Sequence, residues 1–216
     1  MLFYTDSLII KLGENMEILD RIEDPETKRD LEKIIQFHGY LSSGAFIGYQ
    51  MLKIAKNKLK FKSGDKIYVI SETINCLPDP FQIILGSTVG NKRLTIKDYD
   101  KMAITVNKAA SPGETHVKAI RIYLDHNKTV KYPKLHAWYM NWEKVPHEEV
   151  LPLLIDAGES IYSYQCVDME VPIKKRKNVI TCEKCGESFV SKENSKTCVP
   201  CSKEIIKHKS VFKKTH

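Results

Sequence analysis

Four cysteines near the C-terminal end have the types and spacing to hold a metal ion. Cys182-x-x-Cys185 is followed, after twelve intervening residues, by Cys198-x-x-Cys201. Each pair can sit on a tight turn with both sulfurs facing one ion, and the loop between is long enough to close a tetrahedron. Zn²⁺ accepts four thiolates at about 2.3 Å, so the spacing predicts a structural zinc at Cys182, Cys185, Cys198 and Cys201. Gly186 follows Cys185 directly, where a residue without Cβ relieves crowding. Two redox pairs are the competing chemistry. A four-sulfur site is closed and leaves no position for substrate, so its expected work is to fold a short segment that cannot build a core alone. The remaining two cysteines, Cys76 and Cys166, stand apart. With no export signal in sight, clustered cysteines point to metal rather than to disulfides. Cys166, in a strand-like run, reads as a small buried hydrophobe, and Cys76 on its own permits the same reading.

A second candidate lies in Phe37-His38-Gly39-Tyr40-Leu41-Ser42-Ser43-Gly44. A lone histidine at a helix end is more often satisfied by its surroundings than bound to a ligand.

The elements that would position these groups are legible around them. Leu8, Ile9, Leu12, Met16 and Leu19 recur at helical spacing. Asp24-Pro25-Glu26 reads as a cap followed by a first-turn proline, opening a helix through Leu31, Ile34 and Ile35 that stops near Gly39. Ser42 or Ser43 can cap a third helix with Phe46, Ile47, Met51, Leu52 and Ala55 on its apolar face, running on towards Leu59. Gly44 and Gly48 share one side of it, where another element can approach closely. Ile67 to Ile70, Met102 to Val106 and Val117 to Leu124 read as strands. A short helix after Pro78-Asp79-Pro80 carries Phe81, Ile83, Ile84 and Leu85. Val145 to Ile155 reads as a helix and Ile161 to Val171 as extended. The expected fold is α+β, with N-terminal helices packed on a mixed or antiparallel sheet, plus a small treble-clef or zinc-ribbon-like module. The expected divisions are a core domain over 1–172, a basic linker over 173–178, the four-cysteine module over 179–206 and a basic tail over 207–216.

The 216-residue chain carries a net charge of +7, unevenly placed. Positions 174–216 hold 12 Lys/Arg against 4 Asp/Glu, and the rest of the chain holds 22 against 23. A near-neutral body thus precedes a basic region. The plainer reading is a solvated surface, and the sharper one an anionic partner such as nucleic acid. No apolar run reaches the roughly 18 residues of a membrane helix. The N-terminus lacks a basic start, and Asp6 interrupts its apolar run. A cytoplasmic location is the expectation.

Taken in order, the segments resemble the FmdE-like family, named for a component of formylmethanofuran dehydrogenase. Its opening motif, His-Gly-His-x-Cys-Pro-Gly followed by Gly-Tyr or Gly-Phe, corresponds to His38-Gly39-Tyr40-Leu41-Ser42-Ser43-Gly44 and Gly48-Tyr49. Its Glu-Thr-x-x-Cys-x-x-Asp segment corresponds to Glu72-Thr73-Ile74-Asn75-Cys76-Leu77-Pro78-Asp79, with Gln82 beyond. Its Gly-Cys-Thr-x-Gly corresponds to Gly86-Ser87-Thr88-Val89-Gly90, and its Asp-Tyr-Gly-Lys to Asp98-Tyr99-Asp100-Lys101. A Cys-x-x-Cys-Gly-Glu finger corresponds to Cys182 to Glu187. The resemblance spans about 37–201. It implies an α+β domain that forms a homodimer and carries a metal pocket in its core. His38 and Cys76 carry over as ligands for a second divalent metal. The family's second histidine is Tyr40 here, its motif cysteine is Ser42, and the cysteine of the third segment is Ser87. Serine and tyrosine hydroxyls resist deprotonation and bind such metals poorly, so half of the pocket's sphere has changed. Asp79, Tyr40, a water or a histidine from elsewhere (His116, His126 or His136) could complete it.

Three functions follow from these readings. The first is a zinc-binding accessory or adaptor protein whose finger docks on a protein partner. The second is a metal-dependent enzyme at His38 and Cys76, with Glu72, Asp79 and Tyr40 as candidate acids or bases. The third is a nucleic-acid-binding regulator that uses the finger and basic tail. The resemblance brings no molybdenum, tungsten or iron–sulfur framework into this chain.

Overall fold

A computed structural model describes residues 17–172, 176–191 and 194–203. The segment with Leu8, Ile9, Leu12 and Met16, part of the basic linker and the basic tail lie outside the described residues. The chain divides into two compact units, Met1–Val171 and Pro172–His216.

In the first unit, residues 17–20 are helical and place Ile18 and Leu19 in the core. Helix α1 spans Pro25–His38. The Asp24 side chain accepts hydrogen bonds from the Glu26 and Thr27 amides, and Gly39, at φ 98°, ends the helix in the left-handed region that glycine enters without strain. Helix α2 spans Ser43–Leu59, and the Ser42 hydroxyl accepts the Ala45 amide at 3.1 Å. This is the most buried helix of the unit, with Phe46, Ile47, Met51, Leu52, Ile54 and Ala55 all in the core. Burying such side chains contributes about 1.5–3 kcal/mol each against exposure.

Among the described residues, five strands form one sheet in the order β2-β1-β3-β4-β5. They are β1 Ile67–Ser71, β2 Leu94–Ile96, β3 Ala103–Lys108, β4 His116–Leu124 and β5 Tyr162–Glu170. The β1–β2 pair is parallel and the other three pairs are antiparallel, so the sheet is mixed. Register assigns the two faces. Val69 faces Val106, and Ile104 faces Ile122; these four are fully buried beneath the helices. The alternate positions, Thr105, Asn107, Arg121 and Tyr123, give the second face a polar character.

Between the strands lie α3 (Asp79–Leu85), α4 (His126–Thr129, one turn), α5 (Pro133–Tyr139) and α6 (His147–Ala157). A buried polar relay joins three elements. Tyr162 Oη of β5 donates to Gln50 Oε1 of α2 at 2.6 Å, and Gln50 Nε2 donates to the Leu154 carbonyl of α6 at 2.9 Å. Cys166 departs from expectation. It is exposed on β5, because this strand lies at the sheet's edge and its burial fades after Tyr162.

In the second unit, β6 (Val179–Thr181) and β7 (Ser188–Val190) pair as an antiparallel hairpin, and α7 (Val199–Ser202) makes a single turn. Its small core is Cys182, Cys198 and Cys201, with Cys185 and Phe189 packed against them. The chain is thus α+β with a compact cysteine module. No helix among the described residues is long and apolar enough to cross a membrane.

Candidate metal centres

In the second unit the hairpin and the α7 turn bring all four predicted cysteines together. Cys182 follows β6 directly. Its carbonyl accepts the Gly186 amide at 2.9 Å, and its amide donates to the Glu187 carbonyl at 2.9 Å, which bends the chain around the first pair. Gly186 makes this turn at φ 78°. Cys198 caps α7 and Cys201 sits on its turn. The four sulfurs lie within 4.8 Å of one another, and none forms a disulfide. Four sulfurs at 2.3 Å from a tetrahedral centre stand about 3.8 Å apart. Cys185 Sγ and Cys198 Sγ are 3.8 Å apart.

The electrostatics agree with that geometry. The Cys198 amide donates to Cys182 Sγ at 3.3 Å, and this bond, with that of the Cys185 amide, holds the Cys182 thiol down to about 6. Burial, followed by the neighbouring thiols, pushes Cys201 up to about 12. Four packed thiolates repel one another, and a cation among them removes that penalty. The donor set therefore fits a thiophilic ion.

The core domain assembles the second site differently. His38, in the last turn of α1, places Nδ1 2.7 Å from Asp79 Oδ2 at the start of α3. Gln82 Nε2 donates to Asp79 Oδ1 at 3.2 Å. With the carboxylate accepting from Nδ1, the lone pair of a neutral ring lies on Nε2, so Asp79 orients the imidazole and does not itself complete a ligand sphere. The Tyr40 ring lies 5.1 Å from that of His38 and 5.9 Å from that of His147. His147, in the first turn of α6, has Nδ1 2.9 Å from the hydroxyl of buried Ser43. Sequence reading has no signal for His147. It lies 104 positions beyond Ser43, and only the packing of α6 on α2 brings the two together.

The other candidates are accounted for by their contacts. Cys76 is half-buried against α2: a Cβ at Gly44 would lie 3.2 Å from its Cβ and 3.9 Å from its sulfur. Ser42, in the motif-cysteine position, is buried and spends its hydroxyl on the helix cap. Ser87 is fully buried and donates to the Ile67 carbonyl at 2.7 Å. Glu72 accepts from Arg121 Nε at 2.6 Å and from Nη2 at 2.8 Å, which holds its carboxyl below the ordinary value and removes it from acid–base duty. His116 meets Thr115, His126 is exposed, and His136 meets Thr129 Oγ1 at 2.8 Å; none of the three joins His38. Among the described residues, the four-cysteine group is the one set of three or more His, Cys, Asp and Glu arranged to hold a metal.

The fold is an α+β domain followed by a closed four-cysteine cluster that could hold a metal ion. Residues 37–169 match the family described as FmdE, molybdenum formylmethanofuran dehydrogenase operon. The chain belongs to that family. The match ends before the cysteine module begins. The crystal structure of a tungsten formylmethanofuran dehydrogenase FmdE-like protein from Syntrophus aciditrophicus superposes with a TM-score of 0.65 at 24% identity, covering 80% of this chain and 89% of that one. This likeness establishes the shared fold. A protein from Archaeoglobus fulgidus, described as a probable S-adenosyl-L-methionine-binding protein, is 25% identical over 207 residues, covering 83% of this chain and 54% of that protein. The chain therefore spans about half the length of that curated relative.

Proposed function

We propose that the protein is a metal-binding accessory protein in which the second unit holds a structural zinc and serves as a docking module for a protein partner. The observation that carries this reading is the set of four sulfurs within 4.8 Å, three of them on buried cysteines and one on a half-buried cysteine, on a hairpin and a helical turn with little apolar material of their own. Zinc is favoured over other thiophilic ions because four thiolates in a tetrahedron suit its lack of geometric preference and its inertness to redox. A treble-clef or ribbon description suits a hairpin knuckle followed by a short helix. A homodimer formed through the core domain and a cytoplasmic location complete the reading.

A second reading, metal chemistry in the core domain, has one observation in its favour. The His38–Asp79 pair has the carboxylate–histidine form that orients metal ligands. His38 Nε2 and Cys76 would supply two donors, and among the described residues no third His, Cys, Asp or Glu is arranged with them. A divalent ion held there would act as a Lewis acid, while Asp79 keeps the imidazole in one tautomer.

Elemental analysis of protein purified without chelator or a histidine tag tests both readings. One zinc per chain, lost on Cys182→Ser, is the outcome expected for the accessory protein. Two metals per chain, with one lost on His38→Asn, would move the function to the core. Absence of metal from the wild-type protein would refute the structural-zinc reading.

A further inference from the structure

On the polar face of the sheet, beside Ala103, Arg121 and Tyr123, lies a cleft of about 450 Å³. Trp138 and Tyr139 of α5 form one wall, and the turn through Asp100 and Lys101 forms another. The volume falls in the range of about 300–1,000 Å³ usual for small-molecule sites. The hydrogen-bonding groups along the cleft are unequal. Arg121 commits Nε and Nη2 to Glu72 and retains further N–H groups. Lys101 adds to the pull of Arg121 on the Glu72 carboxylate, and Tyr123 and Trp138 bring a hydroxyl and an indole N–H to the lining. Asp100 is the one carboxylate in the lining. The Arg121 guanidinium lies 5.3 Å from the centroid of the Tyr123 ring, so cation and aromatic face are presented together. Two cationic side chains, Lys101 and Arg121, thus stand among flat aromatic surfaces.

We infer that this cleft binds a small planar aromatic ligand carrying one oxyanion. The ring would lie against Tyr123 and Trp138, and a carboxylate or phosphate would meet Lys101 and the outer N–H groups of Arg121. Carboxylate and phosphate share the required chemistry: two or more acceptor oxygens and a negative charge. The inference is independent of the metal readings, since no residue of the four-cysteine cluster and neither His38 nor Cys76 lines the cleft.

The chain has two tryptophans. Trp142 is exposed, and Trp142→Phe leaves Trp138 as the sole indole reporter in the cleft. Adenosine 5′-monophosphate and 1-naphthoate are titrated into this variant, each beside an uncharged counterpart, adenosine and 1-naphthalenemethanol. Calorimetry in parallel captures any binding that leaves emission unchanged. The expected result is saturable binding of at least one anionic probe, with its neutral counterpart about tenfold weaker or more. Lys101→Gln, at an exposed position, should weaken the anion about fivefold or more and leave the neutral probe unchanged. The phosphate and carboxylate arms tell which oxyanion is preferred. Failure of both anionic probes to bind at millimolar concentration would overturn the inference. So would equal binding of charged and neutral probes, or indifference to Lys101→Gln.

Discussion

Glu72, just beyond β1, is held by two guanidinium bonds from Arg121 of β4, and only 8% of the residue is exposed. Its folded pKa is lowered, chiefly by these bonds, from an ordinary 4.5. The sign of the linkage follows. A carboxyl with a depressed folded pKa contributes stability that is present above its unfolded value and is lost as pH falls through the folded one. Thermal stability should therefore decline below about pH 4.5, and Glu72→Gln should flatten that decline. Arg121→Met, which strands the carboxylate, should cost about 2–3 kcal/mol at neutral pH in urea unfolding and less at pH 3. An equal loss at both pH values would show that the pair is not the source.

At the scale of elements, α2 and the loop that ends in α3 approach through glycine. A Cβ at Gly48 would lie 2.2 Å from the Leu77 carbonyl oxygen, a backbone atom that cannot step aside. Gly48→Ala should cost about 1–3 kcal/mol or more, because the helix and loop must separate. At Gly44 the nearest atom, Cys76 Cβ, would be 3.2 Å away, a contact relieved by a shift of a few tenths of an ångström, so Gly44→Ala should cost less than half as much. Chemical denaturation of the two variants checks the order, and equal costs would refute it.

The same elements show what the sequence could reveal. Asp24, Gly39 and Ser42 act locally, so the ends of α1 and α2 can be read from residue type alone. The strand β2, three residues long and paired in parallel with β1, carries too short a pattern to register. The α4 and α5 segments, four and seven residues long, are likewise below the length at which periodicity speaks. His147 and the Glu72–Arg121 pair depend on contacts across 104 and 49 positions, which no local signal contains. Cys166 reads as buried because its strand composition resembles that of a core strand, whereas its exposure follows from its place in the sheet order.

For the whole molecule, the two units rest on different foundations. Met1–Val171 contains the large apolar core, whereas the core of the second unit consists of cysteines and Phe189. Removal of metal by a strong chelator should unfold residues 179–203 and leave the sheet domain's melting transition in place. Limited proteolysis with mass spectrometry would map the cuts. Protection of that segment after complete metal removal would contradict the assignment. The sheet domain has a separate exposure. Strand β5 runs nine residues along the sheet margin, with one row of its amides and carbonyls turned away from β4. Around Tyr164, Gln165 and Cys166 the strand itself contributes no charged residue, and the Lys58 ammonium stands 4.5 Å from the Tyr164 ring, whereas Asp168 and Glu170 guard the far end. Among the described residues no strand pairs with that margin, and such an edge is a template on which a stray extended chain can grow. In concentrated solution, colloidal behaviour would then depend on a few residues that take no part in either candidate metal centre.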